Sequence, residues 1–123
     1  MTLEPLACAL SVCRLRDADH LPLDAAPCFF ARTEDELSLV CPTDRVPETA
    51  EKRDDGWRAF RVQGTLDFSL VGILAKLSGV LAENGIGLFA VSTYDTDYIL
   101  VRAENFDCAL HALAEAGYQI VHP

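Results

Sequence analysis

Basic residues are scarce in this chain of 123 residues: 10 Lys and Arg stand against 19 Asp and Glu, for a formal net charge of −9. Nucleic acid binding rests on cations that displace the counterions of phosphates, so that partner class is excluded, and an anionic membrane surface repels the chain as well. Long apolar runs are missing too. The apolar stretch at residues 6–12 is short, follows Glu4 and precedes Arg14 and Arg16, which fits neither a leader peptide nor a span of about 20 apolar residues. The five cysteines, Cys8, Cys13, Cys28, Cys41 and Cys108, are odd in number and contain no Cys-x-x-Cys pair. They therefore read as reduced, mostly buried thiols in a reducing compartment, and the expected location is the cytoplasm. Gly64, Gly72 and Gly79 match neither the dinucleotide-binding nor the P-loop spacing. No metal site and no cofactor is expected. What the chain has in abundance is apolar residues, 50% of the total, enough to build a core without metals or disulfides.

Patterning along the chain divides it in two. Residues 6–15 alternate and predict a strand, and residues 16–27, with Pro22 and Pro27, predict a loop. Phe29–Thr33 and Leu37–Cys41 predict two strands joined by the polar turn Glu34-Asp35-Glu36. Residues 42–56 carry two prolines, Asp54, Asp55 and Gly56, and read as a linker. A strand is expected from Trp57 to Gln63, with Phe60 and Val62 facing inward. From Ser69 to Asn84 the apolar residues Leu70, Val71, Ile73, Leu74, Leu77, Val80 and Leu81 fall on one broad helical face, and Asn84-Gly85 stops the helix. Strands follow at 88–94 and 98–101. A second helix is expected over 106–116, capped by Asn105 and ended by Gly117, and then a last strand from Tyr118. The order strand, helix, strand, strand, helix, strand in the second half predicts an α+β, ferredoxin-like fold.

The first half echoes the second. Phe29-Phe30-Ala31-Arg32-Thr33 aligns with Phe89-Ala90-Val91-Ser92-Thr93. Allowing a turn one residue longer in the second copy, Glu36–Val40 aligns with Asp97–Val101. The period of about 60 residues predicts a duplicated unit. Residues 1–56 form a degenerate N-terminal half without an obvious helix, residues 57–123 a complete C-terminal one, and the two share one compact unit.

The segment GILAKLSGVLAENGI (Gly72–Ile86) resembles the first helix of ACT domains. The wider run from Leu66 to Val101, with GWRAFRVQG (Gly56–Gly64) and FFARTEDELSLVCP (Phe29–Pro42), resembles tandem ACT proteins related to aspartate kinase regulatory domains and to cytosolic arginine sensors. The likeness covers residues 6 to 121. It departs from the Asp-x-Pro-Gly loop of many ACT domains, because Asp67 lies five residues before Gly72 with no proline between, and Gly87 stands where Asn is frequent. The resemblance implies a duplicated βαββαβ ACT fold that serves as a regulatory or sensor module, binding an amino acid or similar small metabolite between paired units of a homodimer. The exposed amides at the start of the first helix suit a carboxylate, which makes Asp67, Ser69, Leu70, Val71 and Gly72 one wall of the expected site. The hairpin end supplies the other, with Thr93 as donor and acceptor, Tyr94 as a flat face and Asp95 or Asp97 as a partner for an ammonium group, the resemblance favouring Asp97.

Two rivals come from other classes. One is an ACT-like scaffold that holds no ligand and pairs through sheet edges or docks on an unidentified target protein. The other is a thiol enzyme using Cys28 or Cys41, which requires a depressed thiol pKa. His20 beside Asp17 and Asp19 is the nearest approach to a catalytic grouping, and it reads as a polar loop. The expectation is a protein without catalytic residues.

Overall fold

A computed structural model describes residues 1–63 and 72–121. The chain forms two compact units: Cys8–Trp57, and Met1–Ala7 together with Arg58–Pro123. The first is built from strands and loops, and the second carries both helices. The strands are β1 (Thr2–Pro5), β2 (Leu10–Leu15), β3 (Phe29–Arg32), β4 (Leu37–Pro42), β5 (Ala50–Val62), β6 (Phe89–Ser92), β7 (Asp97–Arg102) and β8 (Gln119–Ile120), and the helices are α1 (Ile73–Glu83) and α2 (Phe106–Glu115). Residues of β5 up to Trp57 belong to the strand unit, and those from Arg58 onward to the helical unit.

In the helical unit the strands run in the order β8, β1, β5, β7, β6. Strand β7 lies between β5 and β6, the two strands joined through α1. Strand β5 lies between β7 and β8, the two joined through α2. That interleaving is the split βαβ arrangement. Strand β1 is an addition to it: it pairs antiparallel with β5, Leu3 opposite Val62, and parallel with β8, Leu3 opposite Ile120. Leu3 and Pro5 alternate with Thr2 and Glu4 and are buried, which is why this short segment holds a place in the sheet. The helices bury Leu77, Leu81, Phe106, Ala109 and Leu113 into one cluster with Leu3, Phe60, Val62, Ile99 and Val101. Both therefore cover the same face, as the apolar periodicity requires.

In the strand unit the order is β3, β4, β2, β5, with every neighbour antiparallel. The interleaving is the same, but residues 16–28 and 43–49 connect the strands where the other unit has helices. Leu21, Cys28 and Val46 from these connections pack on Cys13, Leu15, Leu39 and Cys41. The fold is thus a duplicated ferredoxin-like one whose N-terminal copy has lost its helical layer. Between Leu10 and Val12 the β2–β5 register shifts, and Gly56 beside the shift has φ of +89°, a conformation open chiefly to glycine. There the fully buried Ser11 hydroxyl donates to Asp55 Oδ1 at 2.5 Å and lies 2.9 Å from the Thr43 hydroxyl.

Several expectations are corrected. The strand expected over 6–15 begins only at Leu10, and residues 1–7 group with the C-terminal unit and not with residues 8–56. The linker expected over 42–56 is a 3-10 turn, Thr43–Arg45, followed by the long strand β5. Its residues 51–56 are polar and exposed, so no apolar alternation betrays the strand, and backbone pairing with β2 and the Arg14–Glu51 ion pair at 3.2 Å hold it. The helix expected from Ser69 to Asn84 is present as α1, Ile73–Glu83, and Ser69, Leu70 and Val71 of that expectation lie outside the described residues. Asn105 occupies the cap position of α2 but makes no side-chain capping bond, because a second 3-10 turn, Ala103–Asn105, leads into the helix.

The internal repeat is tighter than the sequence alignment implied. The two turns are equally long, and one offset of 60 relates β3 to β6, β4 to β7 and Thr43–Arg45 to Ala103–Asn105. Leu39, Val40 and Cys41 therefore match Ile99, Leu100 and Val101, all buried. The alignment slipped by one because it followed identical Leu and Val residues, and a slip of one exchanges the two faces of a strand.

Candidate functional site

Helix α1 begins after Gly72, whose φ of +86° turns the chain into the helix axis, and Gly72 O accepts the Lys76 N–H at 2.8 Å. An added Cβ at Gly72 meets nothing within 4 Å, so the glycine serves the turn and not close packing. A cavity of about 270 Å³ opens beside this helix end, with Gly72, Ile73 and Lys76 on α1, Ala116, Gly117 and Tyr118 past the end of α2, and Met1. The C-terminus of α2 is closed by its own backbone, since the amides of Ala116 and Gly117 donate to Ala112 O and Ala114 O, and that of Tyr118 donates to Leu113 O. The cavity therefore lies between the positive end of one helix and the negative end of another.

Two of its side chains were not singled out from sequence. Lys76 is exposed, one turn beyond Gly72, and makes no ion pair among the described residues. Tyr118 is only 9% exposed and packs into the core cluster, and burial raises its phenol pKa above the usual value. The available signal for both was positional: an i+4 lysine above an expected helix start, and a tyrosine directly after a glycine helix stop.

Of the site residues expected from sequence, Asp67, Ser69, Leu70 and Val71 lie outside the described residues. Gly72 lines the cavity. Thr93, Tyr94 and Asp97 lie on the β6–β7 turn and are not among its lining residues. There, Thr93 donates from its amide and hydroxyl to Thr96 O at 2.8 and 3.0 Å, and its hydroxyl oxygen accepts the Thr96 amide at 3.3 Å. Asp97 Oδ1 accepts the Ser92 hydroxyl at 2.6 Å, and the Thr96 hydroxyl donates to Val62 O at 2.6 Å, tying the turn to the end of β5. Tyr94 is 85% exposed. The strand unit repeats this turn, with Thr33 O–H and N–H donating to Glu36 O at 3.3 and 3.0 Å. Next to it lies a cleft of about 530 Å³ lined by Arg14, Arg16, Arg32 and five acids. Much of its charge is internally paired, through Arg14–Glu51 and Arg16–Asp17, each at 3.2 Å.

The Cys13, Cys28 and Cys41 thiols do not suit nucleophilic chemistry. Burial, with Cys13 and Cys28 nearby, pushes the Cys41 thiol up to about 12, and burial raises Cys13 and Cys28 as well. The Asp17 carboxylate is held below its usual range by the Asp19 amide and then by Arg16, as expected for a solvated loop. Among the described residues no group of three or more His, Cys, Asp or Glu side chains is placed to hold a metal ion.

A family model described as ACT domain matches residues 52–115, just over half of the chain. The chain belongs to the ACT domain family. A second model, for an N-terminal domain, matches residues 9–49, close to the strand unit. The crystal structure of a protein from Agobacterium tumefaciens is 35% identical, covers 99% of this chain and 92% of its own, and superposes with a TM-score of 0.84. A protein of unknown function from Vibrio cholerae, described as a possible transport protein, is 26% identical over 93% of this chain and 88% of its own, with a TM-score of 0.72. The ligand-free regulatory subunit of aspartate kinase from Thermus thermophilus shares the fold, with a TM-score of 0.67 at 11% identity over 95% of this chain and 97% of its own. No curated protein sequence matches the chain. No helix among the described residues is long and apolar enough to cross a membrane.

Proposed function

We propose that this ACT protein is a cytoplasmic regulatory module that binds an amino acid and catalyses no reaction. The observation that carries the reading is the cavity at the start of α1. Amides in the first turn of a helix lack intrahelical partners and bear partial positive charge, so they favour a carboxylate. At about 270 Å³ the cavity lies near the lower end of ligand pockets, which run from roughly 300 to 1,000 Å³, and so suits a small metabolite. The raised thiol pKa values support a role without a cysteine nucleophile. In the proposed homodimer the carboxylate meets the stretch from Asp67 through Ser69, Leu70 and Val71 to Gly72 in one copy. Thr93, Tyr94 and Asp97 of the other copy approach the ammonium end.

Thermal unfolding in the presence of each common amino acid tests the reading, followed by calorimetry on any that raises the melting temperature. A ligand at a hundred times its Kd adds about 2.7 kcal/mol, a shift of several degrees for a protein of this size. Asp97→Ala is expected to weaken that ligand. If no amino acid moves the transition, the second reading takes over, that of a scaffold pairing through sheet edges or with a target protein. The position of β6 at the end of the strand order in its unit favours that alternative.

A further inference from the structure

Three of the five cysteines meet on one face of the strand unit. Cys13 on β2 and Cys41 on β4 are buried there, and Cys28, just before β3, packs against them. The β3–β4 register sets Phe29 opposite Val40 and Arg32 opposite Leu37, so its next step sets Cys28 opposite Cys41. Thr33 N–H donates to Glu36 O, which marks that pair as hydrogen-bonded. Alternation along the ladder then makes Phe29–Val40 a hydrogen-bonded pair and Cys28–Cys41 a pair of the other kind. Residues opposed in that second way have Cα atoms about 4.5 Å apart, inside the range of about 4.4–6.8 Å that disulfides span. Both side chains lie in one cluster, so they share a face of the sheet. Cys13 is placed differently. It stands opposite Leu39 while Cys41 stands opposite Ser11, and such a diagonal separation, about 7–8 Å, exceeds the disulfide range.

We propose that Cys28 and Cys41 are a redox pair, joined by hydrogen peroxide into a disulfide that staples the segment ending at Cys28 to β4. Cys28 is the more exposed of the two and reacts first. Its thiolate attacks one peroxide oxygen, the O–O bond breaks, and a sulfenic acid and water result. The Cys41 thiolate then attacks the Cys28 sulfur and expels hydroxide, which leaves as water. In all, the two thiols lose two electrons and two protons, and one peroxide becomes two waters. These thiols are too protonated at neutral pH for turnover as catalytic nucleophiles, but a step taken once per chain makes no such demand. Burial keeps the pair slow to oxidise until peroxide is abundant or the pH rises. The connection that ends at Cys28 also lays Leu21 on the cluster of Leu39 and Cys41. Oxidation therefore fixes the layer that stands where the other unit has helices.

Peptide mass spectrometry of the full chain without reductant, after treatment with hydrogen peroxide, tests the pair. The expected product is a peptide linked through Cys28 and Cys41, lighter by two hydrogens than its parts and separated again by dithiothreitol. Its rate of formation is expected to rise about tenfold per pH unit near neutrality, as the thiolate fraction does below a raised thiol pKa. Cys28→Ser, at a half-buried position, is expected to abolish the link, and Cys13→Ser to leave it in place. Linking is also expected to raise the urea midpoint followed by Trp57 fluorescence, and peroxide to leave that midpoint unmoved in Cys28→Ser. If the exposed Cys108 is oxidised in the same sample while no Cys28–Cys41 peptide appears, the pair is overturned. A Cys13–Cys41 link overturns it too, and so does a Cys28–Cys41 link that forms only in urea. A link that leaves the urea midpoint unmoved overturns the staple. None of these outcomes depends on whether an amino acid binds.

Discussion

Residues 29–45 and 89–105 follow one path, with the same strand lengths, the same register and a threonine opening each turn, but different material lies over the two sheets. In the helical unit, α1 and α2 press Leu77, Leu81 and Leu113 onto Phe60 and Ile99. In the strand unit, connecting segments lay Leu21, Cys28 and Val46 over Leu39 and Cys41. The hairpin is therefore specified locally, by its turn hydrogen bonds and cross-strand pairs, and it persists whichever layer covers it. A helix presents a stiff surface of interlocking side chains, whereas a loop can shift to follow a change beneath it. The difference bears on function too, because only the helical unit has the helix ends that form the proposed ligand cavity.

The largest expected effect tests that contrast at equivalent positions. Leu39 and Ile99 are 60 residues apart in the two copies, and both are fully buried. Ile99→Ala is expected to cost about 4 kcal/mol, because two helices fix the walls of the space it leaves, and Leu39→Ala about 2 kcal/mol, because the loops collapse into it. Urea titration reads both, with far-ultraviolet circular dichroism following the helices and the fluorescence of the single tryptophan, Trp57, following the strand unit. Equal losses show that the loop layer is as rigid as the helical one and break the contrast.

What could be read from the sequence follows the same division. Helix α1 was legible because Leu74, Leu77 and Leu81 recur at helical spacing, and α2 because Phe106, Ala109 and Leu113 do. The hairpins were legible from their apolar runs around a polar turn. Strand β5 was hidden because residues 51–56 are exposed and charged, held by backbone pairing that leaves no apolar signature. The place of β1 between β5 and β8 was hidden because pairing between residues far apart in the chain is not written in either segment. Gly72 was found through its family pattern. Lys76 and Tyr118 were missed because the cavity they line forms only when the end of α2 comes beside the start of α1.

A smaller effect sharpens the likeness of the hairpins. Thr33 and Thr93 play one role: each hydroxyl donates to the carbonyl three residues on and accepts an amide from within the turn. Thr33→Val and Thr93→Val remove those bonds while keeping the side-chain shape, and each is expected to cost about 1 kcal/mol. Near-equal shifts of the two denaturation midpoints support a shared local design. A much larger loss at Thr93 makes that turn dependent on its tie to the end of β5 through Thr96.

The smallest effect is expected from acid, and it separates the units by charge instead of packing. Asp17, Asp24 and Asp55, all in the strand unit, have clearly lowered pKa values. Asp55 is lowered by the Ser11 hydroxyl and then Arg53, Asp24 by Arg45, and Asp17 by the Asp19 amide and then Arg16. A carboxylate whose folded pKa lies below its unfolded value, near 3.9 for Asp, is ionised in the folded state where the unfolded chain already binds protons. Its contribution is complete above that pH and is lost as the pH falls through the lower folded value. These groups are exposed to solvent, so the contribution is small and further weakened by salt. Acidification below about pH 4 is thus expected to change Trp57 fluorescence before it changes the helical circular dichroism. Ser11→Ala, which deletes the foremost cause of the Asp55 shift, is expected to make the Trp57 transition less steep in pH. If the helical signal falls first, the acid response belongs to groups in the other unit, and the asymmetry between the copies is one of packing alone.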